Sequence, residues 1–197
     1  MLDNPTRFAE ACRLFDAANA EDPTREPNGQ GQLVPKELLY AERMTACLNR
    51  VAPDAPEAVQ LAARSQHIRR WHIPRSDYPL TRPAYHQWRN ALKKYHAELA
   101  GHLMQQAGYD PDMIARVQQL LRKERLKDDP EVQLLEDVIC LVFLEYYFLP
   151  FAAQHPEEKV VEIVQKTWPK MTEWGHALAL QLPFSPEALA LVTQALK

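Results

Sequence analysis

A chain of 197 residues, 46% hydrophobic and 25% charged, has the length of one domain and enough apolar material to bury a core. A net charge of −3 excludes a protein that coats nucleic acid over its whole surface, and the most apolar stretch, 138–151, is too short for a membrane span and carries Glu145 and Pro150. The three cysteines, Cys12, Cys47 and Cys140, are far apart and form no CxxC pair, and the opening string MLDNPTRFAEAC lacks the pattern of a signal peptide, so the expectation is a reduced, cytoplasmic protein.

The elements read as helices throughout, in one all-α domain spanning 1–197. Asn4-Pro5 caps a first helix that ends near Asn19, with Phe8, Cys12 and Phe15 on one face. A polar loop over 20–32 follows. Pro35 opens a second helix with Leu38, Ala41, Thr45 and Leu48 on one side, and Pro56 opens a third that runs to about Trp71. Pro74, Pro79 and Pro83 then forbid regular helix and predict an ordered loop over 73–83. A long amphipathic helix is predicted over 84–107, its stripe formed by Tyr85, Trp88, Leu92, His96, Leu99 and Leu103. Asp110-Pro111 and Asp129-Pro130 cap the next two. The second of these is apolar nearly all round from Leu134 to Phe151 and belongs at the centre of the fold. Helices over 157–168, continuing or kinking at Pro169, and from Pro186 to Leu196 complete the chain. No strand pattern, repeat or low-complexity tract is visible.

Charge and ligand-type side chains converge in one segment. Residues 64–96 hold eight Lys/Arg, four of the seven histidines, two Trp and three Tyr against a single acid, Asp77. Arginine's planar fork matches phosphate and carboxylate, so Arg69, Arg70, Arg75, Arg82, Arg89 and Lys93 are candidates for binding a phosphorylated ligand, with Tyr78, Trp71 or Trp88 stacking a base. The alternative is that several of these arginines neutralise acids of the scaffold, and at least two are expected to be structural.

His67 shares a helix face with Val59 and Ala63, and His96 lies on the long apolar stripe, so both should point inward. Glu136 and Asp137 are adjacent carboxylates on an otherwise apolar helix, costly unless paired or bound to a metal. For Asp137 a metal or acid–base role and a buried ion pair are equally open; for Glu136 and Glu145 the ion pair is favoured. Neutral imidazoles with a carboxylate suit a divalent transition metal, with His67, His96 and Asp137 as the candidate set and Asp137 and Glu136 as candidate catalytic carboxylates. None of the close spacings that make a metal assignment specific is present, nor any P-loop, dinucleotide fingerprint, GxSxG or kinase set.

The strings FDAANAEDP at 15–23, AARSQHIRRWHIPRSDYPLTR at 62–82, YHQWR at 85–89, EDVICLVFLE at 136–145 and KTWPKM at 166–171 resemble a family known as domain of unknown function 4202, over almost the whole chain. That resemblance implies no established activity. More remotely, the layout is similar to the all-helical HD-domain metal-dependent phosphohydrolases. The run from Ala62-Ala63 to His67-Ile68 resembles the helix end that carries their His-Asp pair, His96 a later ligand position of binuclear members, and Asp137 the final Asp. Ile68 stands where the paired Asp belongs. The first histidine has no counterpart, the second helix offering Glu37, Tyr40 or Glu42, and Lys123 stands where some members have a further His. This likeness implies an HD-like fold with an altered or lost metal site.

Two functions follow as expectations. One is a metal-dependent hydrolase of a phosphorylated small molecule or nucleotide. The other is a non-catalytic module that uses the 64–96 segment to bind a nucleotide, RNA or an acidic partner. No membrane association is expected.

Overall fold

The computed structural model describes residues 4–196, so Met1–Asp3 of the N-terminal string lie outside the described residues. Ten α-helices and one two-stranded sheet are present among them, which makes the fold all-α. The chain divides into two compact units, one up to Arg125 and one from Leu126.

The first unit opens with α1 (Pro5–Ala20), started by the Asn4 side chain, which accepts the Arg7 N–H at 3.1 Å, and by Pro5 at the first helical position. The polar stretch after it is not all loop. Strands β1 (Arg25–Pro27) and β2 (Leu33–Pro35) pair antiparallel, with Glu26 opposite Val34. Each has only three residues and ends in proline, too short to display the alternation that marks a strand. The pairing is organised by the turn instead. Asn28 Oδ1 accepts the N–H groups of Gln30 and Gln32 at 2.9 and 3.0 Å, and Gly31 takes a φ of +77°.

Helix α2 (Lys36–Val51) is fastened at its start by Asp22, whose two oxygens accept the backbone N–H of Thr24 at 2.8 Å and of Glu37 at 3.0 Å. Helix α3 (Glu57–Ser65) stops well before Trp71. Beyond it the backbone tightens into short turns, and Arg69 adopts the left-handed conformation at φ 48°, its N–H taken by the side-chain oxygen of Asn19 at 3.0 Å. A tertiary partner thus replaces the intrahelical bond that continuation would have required. One 3₁₀ turn, Arg70–His72, leads into the proline-rich stretch and a second, Arg75–Asp77, lies within it.

The long helix α4 (Arg82–Gln106) starts on Thr81, whose hydroxyl accepts the Ala84 N–H at 3.3 Å. It buries Trp88, Leu92, His96, Ala100 and Met104, whereas Tyr85 lies outside the stripe and is 44% exposed. Helix α5 (Pro111–Arg122), capped by Asp110, packs along α4. The close approach uses Gly101, where a Cβ would stand 2.4 Å from the Gln118 side-chain nitrogen. Helices α1, α2 and α3 close the core around Phe15, Met44, Leu48, Val59, Leu61 and Ile68.

The second unit begins with α6 (Pro130–Val142), capped by Asp129 Oδ1, which accepts the Glu131 and Val132 N–H groups. The apolar run expected as one helix changes winding. A π-helical stretch, Phe143–Tyr147, precedes α7 (Phe148–Ala152). Pro150 has no N–H to offer the carbonyl four residues back, and the wider turn relieves that mismatch. Tyr146, Leu149 and Pro150 are exposed as a result. Helices α8 (Glu157–Thr167), α9 (Glu173–Ala179) and α10 (Pro186–Ala195) follow, with α8 packed on α10 and α6 on α9. Among the described residues no helix is long and apolar enough to cross a membrane.

Candidate anion-binding site

The arginines of the 64–96 segment separate into two groups by what they touch. Arg64 forms a bidentate pair with Asp16, both contacts at 2.7 Å, and the Arg69 guanidinium pairs with Glu21. These two hold the segment to α1 and its end. Arg75 braces its own loop, donating to the carbonyls of Tyr78 at 2.7 Å and Pro79 at 2.9 Å. Arg82, in the first turn of α4, is exposed. Arg70, Arg75, Arg82 and Arg89 make no ion pair with a carboxylate among the described residues. Lys93 lies one turn beyond Arg89 on α4, half-buried.

A small open cleft of about 180 Å³ lies in the first unit, lined by Arg70, Trp71, Arg75 and Trp88 together with Asp22, Thr24, Lys36 and Glu37. Trp88 is committed to the wall. Its indole N–H donates to the Ile73 carbonyl at 2.9 Å, and its ring carries the Arg70 guanidinium at 5.0 Å and that of Arg75 at 5.9 Å. Trp71 is half-buried on the same lining. Tyr78 supplies its main-chain carbonyl to Arg75, but its ring is not part of the lining.

Behind the cleft lies a chain of polar contacts. Arg70 Nη1 lies 3.1 Å from His67 Nε2, and His67 Nδ1 lies 3.4 Å from Glu37 Oε2. A guanidinium only donates, so Nε2 is the accepting nitrogen and the imidazole proton sits on Nδ1, facing the carboxylate. The ring is stacked on Tyr40, centroids 4.0 Å apart and 15° from parallel. Burial, with Arg70 close by, holds the His67 imidazole well below its ordinary pKa, in agreement with a neutral ring. Burial pushes the Glu37 carboxyl up to about 7, opposed by Arg70 and Lys36. Burial and the proximity of Arg89 lower the pKa of Arg70.

His96 is buried beside this chain, its ring centroid 6.0 Å from that of His67. Its Nδ1 lies 2.8 Å from the Ile68 carbonyl, which can only accept, so the proton is on Nδ1. Nε2 is then a bare acceptor, buried without a hydrogen-bond partner. Burial pushes the pKa of this imidazole down to about 3.

Asp137 and Glu136 belong to α6 of the second unit, and both are buried. Both Asp137 oxygens are engaged by Thr172, Oδ1 accepting its N–H at 2.9 Å and Oδ2 its hydroxyl at 2.6 Å. Burial nonetheless raises the Asp137 carboxyl above its usual range, with the Thr172 bonds working against it.

The expected metal does not fit these side chains. Among the described residues no group of three or more His, Cys, Asp or Glu side chains is arranged to hold a metal ion. In the set His67, His96 and Asp137, both His67 nitrogens face protein groups, His96 keeps one free nitrogen, and both Asp137 oxygens accept hydrogen bonds. The cleft instead uses Asp22, Thr24 and Lys36, which sequence reasoning had not placed at a site, and Glu37, noted only as a substitute ligand. Their one local signal was the Asp22-Pro23 step, which reads as a turn. Its role in seating the start of α2 exists only once β1 and β2 have folded back.

The site therefore defines an all-α protein with a basic, aromatic-walled cleft and no assembled metal centre among its described residues. The chain belongs to the family described as Domain of unknown function (DUF4202), whose profile matches residues 9–192. No curated protein and no solved structure matches it. The family match carries the first of the two resemblances read from the sequence, while the likeness to HD-domain phosphohydrolases stays an expectation.

Proposed function

We propose that the cleft of the first unit binds a phosphorylated small molecule, nucleotides included, with Arg70 as the principal anion contact. The observation that carries this is Arg70 itself. It is a half-buried guanidinium on the cleft wall whose hydrogen-bond partner is a neutral imidazole, with burial and Arg89 lowering its pKa. Glu37 offsets the Arg70 charge only in part, with Arg89 acting the other way, and a phosphate would add negative charge together with acceptors for the Arg70 N–H groups. Trp71 offers the ring on which a base would stack, since Trp88 already carries arginine. The cleft is small beside the roughly 300–1,000 Å³ of drug-sized pockets. It would take a phosphate and part of the group attached to it, the remainder extending outward.

Hydrolysis by metal-activated water is the weaker reading, because His67, His96 and Asp137 would have to surrender contacts they already make. Titration of the protein with adenosine monophosphate tests the proposal. Saturable binding that weakens with salt is expected, and Arg70→Ala should weaken it by roughly tenfold to a hundredfold, the worth of a charged hydrogen bond. Equal binding by wild type and Arg70→Ala, or none by wild type, rejects the reading. Binding of single-stranded RNA with indifference to the mononucleotide would move the function to nucleic-acid recognition.

A further inference from the structure

We propose that His67 is a positioning residue for Arg70 and not a metal ligand: its Nε2 holds the guanidinium in the orientation that meets a phosphate. The inference rests on the phosphate-binding reading of the same cleft and assigns the part of the machinery behind it. The contacts form a directed chain. Glu37 Oε2 faces Nδ1 of His67 at 3.4 Å, Nε2 of the same ring faces Arg70 Nη1 at 3.1 Å, and Arg70 reaches the cleft. Because arginine never acts as an acceptor, its presence at Nε2 fixes the tautomer, and the carboxylate at Nδ1 reinforces the same tautomer. Stacking on Tyr40 fixes the plane of the ring and so the direction of its lone pair.

The backbone serves the same end. The left-handed turn at Arg69 brings the Arg70 N–H to the His67 carbonyl at 3.0 Å, so both side chains leave the same short turn. His96 buttresses that turn from beneath by donating Nδ1–H to the Ile68 carbonyl, and the Ile68 side chain is fully buried. An Asp at position 68 would be a buried charge here. Isoleucine anchors the turn instead, and the two histidines divide the work, His96 holding the backbone and His67 the guanidinium. An arginine confined in this way loses less freedom when a ligand arrives, which is the physical benefit of positioning.

Adenosine monophosphate binding by five proteins tests this: wild type, His67→Leu, His67→Gln, Arg70→Ala and the double variant His67→Leu/Arg70→Ala. The leucine variant keeps apolar contact with Tyr40 but offers Arg70 no acceptor, whereas the glutamine amide oxygen restores one near Nε2. The expected result is roughly tenfold weaker binding in His67→Leu, recovery in His67→Gln, and no further loss when His67→Leu is added to Arg70→Ala. Added zinc or a chelator should leave all five unchanged. His67→Leu binding like wild type, losses that simply add, or stoichiometric zinc that disappears in His67→Leu would each overturn the assignment. If Arg70→Ala also binds like wild type, the cleft reading falls with it; if only Arg70→Ala is weakened, the role of His67 alone falls. Should His67→Leu not fold, nitrogen-15 spectra of the wild-type histidines decide: a proton on Nδ1 with a bare, hydrogen-bonded Nε2 supports the proposal, and a protonated or metal-shifted Nε2 ends it.

Discussion

A buried imidazole with one satisfied nitrogen, as in His96, is a source of pH-dependent stability. Folded, it stays neutral down to about pH 3, while in the unfolded chain it takes up its proton near 6.5. Between those values the unfolded state binds the extra proton, so stability falls as the pH is lowered from 6.5 toward 3. Glu37 acts in the opposite sense. Its carboxyl is raised from 4.5 to about 7 in the fold, so the folded state holds the extra proton in that window and stability falls as pH rises through it. Urea denaturation of wild type and His96→Asn across this range separates the two. The advantage of wild type over the variant should shrink steadily as pH falls below about 6.5, since only wild type carries the buried imidazole. Parallel stability curves would show that His96 ionises freely in the fold. The inward direction of His96 was legible from the stripe of α4, whereas His67 was placed inward by a helix that in fact ends at Ser65, two residues before it. Which nitrogen of each carries the proton was not legible, because that depends on Arg70 and the Ile68 carbonyl, which reach them only through the fold.

Helix starts are the elements best written in the sequence. Asn4, Thr81, Asp110, Asp129 and Ser185 each accept an N–H of the first turn, and a proline stands in the first two positions of each of these helices. Helix α9 has a cap of another kind. The Thr172 hydroxyl accepts the Gly175 N–H at 3.0 Å and donates to Asp137 Oδ2, while the Thr172 N–H donates to Oδ1. The buried carboxylate on α6 is thereby satisfied by the N-terminus of a neighbouring helix, where negative charge is favoured. Gly175 makes the approach feasible, since a Cβ there would lie 2.6 Å from Asp137 Oδ1. Gly175→Ala should cost about 1–3 kcal/mol, read as a melting temperature lower by several degrees. An unchanged melting curve would mean that α9 can shift without loss. Elements that end or change winding for tertiary reasons were illegible: α3 stops at Ser65 because Asn19 claims the Arg69 N–H, and β1 and β2 are too short to carry a pattern.

At the scale of the molecule, the chain changes from one compact unit to the next around Arg125. The stretch 122–128 combines Arg122, Lys123, Arg125 and Lys127 with exposed Glu124, Arg125, Lys127 and Asp128, and both Lys123 and Arg125 adopt φ 57°. Exposed backbone between compact units is the preferred substrate of a protease. Limited trypsin digestion of the native protein should therefore cut first within 122–128 and yield two fragments, identified by mass. Earlier cutting in the equally basic 64–96 segment would show that the salt bridges of Arg64 and Arg69 and the loop brace of Arg75 do not hold that segment in place.

The helical class, most helix starts and the segment from which the cleft takes its arginines and tryptophans can be read from the residues in order, because caps, periodicity and composition are local properties. Only the folded chain sets which of those arginines pair with acids. Arg64 and Arg69 are neutralised by acids 48 residues away along the chain, and Arg70 is left facing the cleft against a neutral histidine. The fold also sets His67 against Arg70 and Asp137 against Thr172, contacts that a metal at those side chains would have to replace. Pairings of this kind depend on distances across the fold, and nothing in local spacing encodes them.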